Sequence, residues 1–256
     1  MLLAIDVGNT NITLGLFDGN TLKHHWRVST DREKTSDEFG ILFMSLFQYA
    51  GEDIHQVRDV IICSVVPPIM HSMINGILRY IHKDPIQVGP GIKTGINIKY
   101  ENPREVGADK IVNAVGALSL YGGPVIIVDF GTATTFCAVN RNRDYLGGVI
   151  CPGIKISADA LFEKASKLPR VELVEPGKII GRNVVTSMQS GLYYGYVGQV
   201  EYLVHKIKNE MKEENIKVVA TGGLAKFMAS ECHCVDEVNR MLTLEGLKEV
   251  YHMNSK

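Results

Sequence analysis

With 256 residues, a hydrophobic fraction of 45%, a charged fraction of 21% and a net charge of -1, the chain has the composition of a soluble globular protein able to bury a substantial core. The near-zero charge excludes bulk attraction to nucleic acid or to an anionic membrane. No apolar run approaches the roughly 20 residues of a membrane span, no basic segment precedes the first apolar stretch, and the scattered cysteines suit reduced thiols, so the expected compartment is the cytoplasm.

In chain order, apolar patterning predicts strands at Leu2 to Val7 and Ile12 to Phe17, a turn at "DGN" and a strand through Trp26 to Val28. A helix follows near Ser36 to Tyr49, with Phe39, Leu42, Phe43 and Leu46 at helical spacing. "VRDVIICSVVPP" reads as a buried strand ended by Pro67 and Pro68, then a helix over Ile69 to Ile81 and a brief strand at Ile86 to Val88. "REVGADKIVNAVGAL" is helical, with Val106, Ile111, Val112 and Val115 available for burial. After Gly122-Gly123-Pro124 the order repeats: strands at Val125 to Asp129, around Thr134 to Val139 and at Tyr145 to Ile150. Helices are expected through much of Ser157 to Glu213, and "IKVVATGGLA" supplies a last buried strand. The repeat spans about half the chain, so the expected organisation is a duplicated domain, with halves 1–116 and 117–256.

The helical pattern from Asn183 to Glu213 carries Gly191, Gly195 and Gly198 along one stripe. Each interior glycine costs about 1 kcal/mol relative to alanine. Close packing within the subunit or against a partner subunit would offset that, and the pattern alone does not choose. "ECHCVDE" sets Cys232, His233 and Cys234 side by side, but no second Cys/His pair stands at zinc-site spacing, so these read as ordinary thiols.

Both halves begin with the same oddity. A buried strand ends on a carboxylate, Asp6 in "DVGNT" and Asp129 in "DFGTAT", and a small, donor-rich turn follows. Such a turn can aim backbone N–H groups at one spot and form an anion nest, to which Asn9, Thr10 and Thr132 add side-chain donors. The carboxylates would repel phosphate unless a cation lay between, as in magnesium–nucleotide sites. Two such turns facing each other would hold a polyphosphate. Neither a Gly-x-x-x-x-Gly-Lys-Ser/Thr loop nor a Gly-x-Gly-x-x-Gly fingerprint is present. Asp129-Phe130-Gly131 spells a protein-kinase tripeptide without that family's other motifs.

"DVGNT", "DFGTAT" and "ATGGLA" resemble the two phosphate motifs and the adenosine motif of the acetate kinase, sugar kinase, Hsp70 and actin superfamily. With "SVVPP", "GPGIKTG", "NPREVGADKIVNA" and "GGVICPGI" between them, the order resembles bacterial type III pantothenate kinases from Ile5 to about Leu247. The resemblance implies an α/β fold of duplicated ribonuclease H-like (actin-like ATPase) domains, each a mixed sheet flanked by helices. It also implies transfer of the ATP γ-phosphoryl group to pantothenate. Asp109 would be the catalytic base. ATP would be held by Asp6, Val7, Gly8, Asn9, Thr10, Asn11, Ile12 and Thr13, by Gly131 and Thr132, and by Gly222 and Gly223. Asp129 would bind potassium or ammonium, and Asp6 the magnesium of magnesium-ATP, directly or through water. Tyr100, Gly107, Ala108, Asp109, Lys110 and Val184 would contact pantothenate, in a homodimer whose neighbouring subunit helps close the pocket. A nonenzymatic nucleotide-binding regulator, or a kinase for another small alcohol, are the alternatives; a pure binding module has no need of Asp109.

Independently of the resemblance, Asp109 falls in an early helical turn, where the dipole favours its ionised form and Glu105 opposes it. Residue type alone allows an ordinary solvated carboxylate there. Two departures from the family pattern stand out. Lys110 replaces the usual arginine, keeping charge but not bidentate geometry. Val184 replaces a threonine that hydrogen-bonds pantothenate, a loss of about 0.5–1.5 kcal/mol. Thr186 would lie on another helix face.

Overall fold

The first apolar runs form a meander, β1 (Leu2–Val7), β2 (Asn11–Asp18) and β3 (Thr21–Ser29). Helix α1 (Ser36–Ala50) then starts at a Thr35–Glu38 capping box and stops at Gly51, whose φ of 71° supplies the left-handed cap. β4 (Asp59–Ser64), α2 (Pro67–Tyr80) and the short β5 (Ile86–Gln87) complete a sheet of order β3-β2-β1-β4-β5. Pro67 and Pro68 sit at the start of α2, where a missing N–H costs nothing. After β6 (Asn97–Ile98) comes α3 (Ala108–Tyr121), then a second meander of β7 (Val125–Phe130), β8 (Ala133–Val139) and β9 (Asp144–Pro152). Helices α4 (Ile154–Lys164) and α5 (Val184–Met211), strand β10 (Lys217–Thr221), α6 (Ala225–Ala229), β11 (Glu237–Val238) and α7 (Leu242–Asn254) follow. The second sheet has the order β11-β10-β7-β8-β9-β6. Its first five strands repeat the first sheet's order, with β6 added at the edge, so the duplication read from the sequence is present in the backbone.

This computed structural model describes residues 1–255 and divides into two units. The first comprises Met1–Ile96, Asn102–Ser119 and the chain from Leu242 onward; the second comprises Asn97–Glu101 and Leu120–Met241. The expected boundary at 116/117 differs in two ways: it falls inside α3, and the last helix belongs to the first unit. In that unit Leu3, Ile5 and Val7 point with strand periodicity into a core with Phe39, Phe43 and Phe47 of α1 and Ile69, Met73 and Ile77 of α2. The opposite face meets α7, where Gly15 of β2 lies against Leu244. In the second unit Ile126, Val128 and Phe130 pack with Leu192, Val200 and Val204 of α5.

As expected, helices fill much of Ser157 to Glu213, as α4 and α5, with a break between them. Residues 165–183 carry no regular structure. Pro169, Pro176, Gly177 and Gly181 fall in this stretch and disfavour helix there. No helix of the described residues is long and apolar enough to cross a membrane.

Candidate active site

In the first unit β1 and β2 pair through Val7↔Ile12 and Asp6↔Thr13, leaving Gly8, Asn9 and Thr10 at the turn. The Gly8 amide closes it on the Asn11 carbonyl at 3.0 Å. On its other side β1 runs parallel to β4, with Asp6 beside Cys63. The buried Cys63 thiol donates to Asp6 Oδ1 at 3.2 Å. Burial, with Asp6 next and Asp109 a further contributor, pushes that thiol well above its ordinary pKa, so it is a neutral donor beside the carboxylate. Asp109 thus belongs to the same electrostatic neighbourhood as Asp6.

Asp109 is the second residue of α3. Its Oδ1 is buried and has no hydrogen-bond partner among the described residues. The carboxylate folds back onto Gly107, where a Cβ would collide with Oδ1 and lie 3.6 Å from Val65 Cγ1. Val65 is the first valine of "SVVPP"; its amide donates to the Val7 carbonyl at 3.1 Å, which ties that motif to the end of β1. Ala108 and Lys110 flank Asp109, partly buried.

In the second unit Asp129 is the penultimate residue of β7, as Asp6 is of β1, and it pairs with Thr135 of β8. The separation is one residue shorter, 135 − 129 = 6 against 13 − 6 = 7, and the Gly131 amide closes the turn on the Ala133 carbonyl at 3.2 Å. Gly222, at the end of β10, has a φ of 93°. A side chain there would collide with Asp129 Oδ1 and lie 2.7 Å from the Phe130 carbonyl oxygen, so glycine lets these oxygens and the "TGGL" turn approach. The Phe130 carbonyl accepts from the Leu224 amide at 3.4 Å, and the Asp129 carboxylate beside it supplies hard oxygen donors of the kind a cation takes.

The remaining expected residues lie elsewhere in the second unit. The Tyr100 ring stands 3.4 Å from where a Gly147 Cβ would be, and the tyrosine is 38% exposed. Val184 is the first residue of α5 and 48% exposed. Thr186 cannot stand in for it: its hydroxyl accepts from the Arg182 amide at 3.1 Å and belongs to the Asn183 capping box. A groove of about 830 Å³ runs along α5, lined by Val184, Leu161, Leu168, Met188, Leu192 and others. Cβ atoms built on Gly191, Gly195 and Gly198 meet nothing within 4 Å, so these glycines do not pack closely within the chain. Cys232 and Cys234 are pushed up to about 12, mainly by burial, and no group of three or more His, Cys, Asp or Glu able to hold a metal occurs among the described residues.

The motif order and this geometry meet in the comparison with known proteins. Residues 2–206 match the type III pantothenate kinase family. The chain belongs to that family. The type III pantothenate kinase of Geobacillus kaustophilus (strain HTA426) is 54% identical over 256 residues, covering 100% of this chain and 99% of that protein. Among solved structures, a protein described as a Baf family transcriptional activator from Campylobacter jejuni shares 16% identity over 98% of each chain, with a TM-score of 0.62. A 2-dehydro-3-deoxygalactonokinase from Sinorhizobium meliloti shares 11% identity over 100% of this chain and 98% of its own, with a TM-score of 0.60. At these identities the solved structures speak for the fold alone, that of the actin-like ATPases and sugar kinases. Lys110 and Val184, the two expected departures, both lie in regular helix.

Proposed function

We infer that the protein is a pantothenate kinase, which transfers the γ-phosphoryl group of ATP to the primary hydroxyl of pantothenate and forms 4′-phosphopantothenate, the first step of coenzyme A synthesis. The observation that carries this reading is the 54% identity to a type III pantothenate kinase across the full length of both chains.

The roles of individual residues are proposed on the same basis. Asp109 accepts the proton of the pantothenate hydroxyl as it attacks. A buried carboxylate oxygen with no protein donor of its own, in the first turn of α3, suits that task. A weak base suffices, because loose phosphoryl transfer depends mainly on positioning and charge stabilisation. Residues Asp6 to Thr13, with Gly131, Thr132, Gly222 and Gly223, hold ATP through backbone and side-chain donors. Asp6 would hold the magnesium of magnesium-ATP and Asp129 a potassium or ammonium ion; these cations offset the phosphate charge that the two carboxylates would otherwise repel. Tyr100, Gly107 to Lys110 and Val184 orient pantothenate. The protein works as a cytoplasmic homodimer, with the open glycine face of α5 against the partner subunit.

A coupled assay of ADP release from ATP and pantothenate tests the reading. Turnover is expected in potassium or ammonium and not in sodium alone. Asp109→Asn should lower it by about 10²–10⁴ with nucleotide binding retained. No pantothenate-dependent ADP release would refute the function, full activity in sodium the cation role, and more than about a tenth of normal turnover in Asp109→Asn the base.

A further inference from the structure

The segment after β3 closes over the first phosphate turn. β3 ends at Ser29, paired with Asn11, and the chain then crosses the turn instead of leaving it. The Thr30 amide donates to the Thr10 carbonyl at 3.0 Å, and the Thr30 hydroxyl donates to the Gly8 carbonyl at 2.6 Å. Arg32 Nη2 donates to Asn9 Oδ1 at 3.2 Å. Three hydrogen bonds therefore join residues 30–32 to three consecutive turn residues.

The third bond decides which end of an amide faces which way. An asparagine side chain presents either a carbonyl oxygen, which repels phosphate, or an NH2 group, which donates to it. A guanidinium carries only donors, so it selects the carbonyl oxygen. With Oδ1 held by Arg32, the Asn9 NH2 group points away from the guanidinium and is available as a phosphate donor. We propose that Arg32 is a positioning residue for ATP, orienting the Asn9 amide so that its NH2 group meets the phosphate chain. The proposal rests on the reading of Gly8 to Thr10 as a phosphate turn. Arg32 is exposed and outside the core, so its replacement leaves folding intact.

A double-mutant cycle on the full-length enzyme tests it, with steady-state kinetics for both substrates and a melting curve for each variant. Arg32→Met should raise KM for ATP about three- to tenfold, the effect of weakening one hydrogen bond of ordinary strength to the phosphate, with KM for pantothenate and Tm unchanged. Arg32→Lys, which keeps a charged donor of similar reach, should recover most of the loss. In an Asn9→Ala background the further change Arg32→Met should have less than about a twofold effect, because the amide it orients is gone. An undiminished effect in that background, or no effect of Arg32→Met on KM for ATP, would overturn the proposal. If Asn9→Ala alone leaves KM for ATP unchanged, the phosphate-turn reading itself fails, and the proposal with it.

Discussion

Asp109 reaches back over Gly107 so closely that a single methyl group there would collide with its carboxylate. The obstructed atom ends a rotatable side chain, so Gly107→Ala should displace the carboxylate without unfolding α3. Misplacing a catalytic group by about 1 Å can cost 10²-fold. The expected outcome is kcat lowered about ten- to a hundredfold, with KM for ATP and the melting temperature near those of the parent. Unchanged kcat would mean that the carboxylate's place does not matter to the reaction. Val184 poses the opposite problem, a missing group. Val184→Thr restores a hydroxyl without adding volume, and a gain of about 1 kcal/mol corresponds to roughly a fivefold fall in KM for pantothenate. Such a bond forms with substrate and transition state alike, so kcat should hardly move. An unchanged KM would place Val184 outside the substrate's reach. Asp6 and Asp129 could be singled out in the bare chain because each lies in a short motif whose neighbours are local, whereas Asp109 stood out only through the resemblance. Cys63 and Arg32 could not, because their partnerships with Asp6 and Asn9 span 57 and 23 residues and depend on strand register.

Among the elements, α5 is the one whose composition its own unit does not explain. Three glycines in a 28-residue helix forgo about 3 kcal/mol of helix stability relative to alanine, and all three face open space. A partner helix approaching along that stripe would account for them. Gly195→Glu should then leave the helix folded and convert the dimer to monomer in sedimentation velocity, with a parallel loss of pantothenate turnover. A variant that stayed dimeric at the same concentration would remove α5 from the interface. The helix itself was legible, since Asn183 caps it and apolar residues recur along it. The break before it was not placed from the sequence, although Pro169, Pro176, Gly177 and Gly181 mark it. There Gln189 donates to the Glu172 carbonyl and Tyr194 to the Pro176 carbonyl, holding the segment against α5 without regular structure.

At the scale of the whole molecule, the duplication was legible because each half repeats its meander and its carboxylate turn. The return of the last helix to the first unit was not, since that depends on close contacts between residues far apart in the chain. Gly246 lies against the Val112 carbonyl of α3, and Thr243 donates to the buried Asn113, 130 residues earlier, at 2.7 Å. Tyr251 donates to Asp59 at 2.6 Å, and Asn254 bonds both the amide and the carbonyl of Lys93 in "GPGIKTG". The helix bearing Asp109 is therefore buttressed by residues that come after the whole second unit in the chain. Domains generally complete themselves in the order in which the ribosome delivers them. Here that order is crossed: the second unit's sequence has all emerged by Met241, whereas the first unit must wait for Leu242 and the residues after it before α7 can cover one face of its sheet.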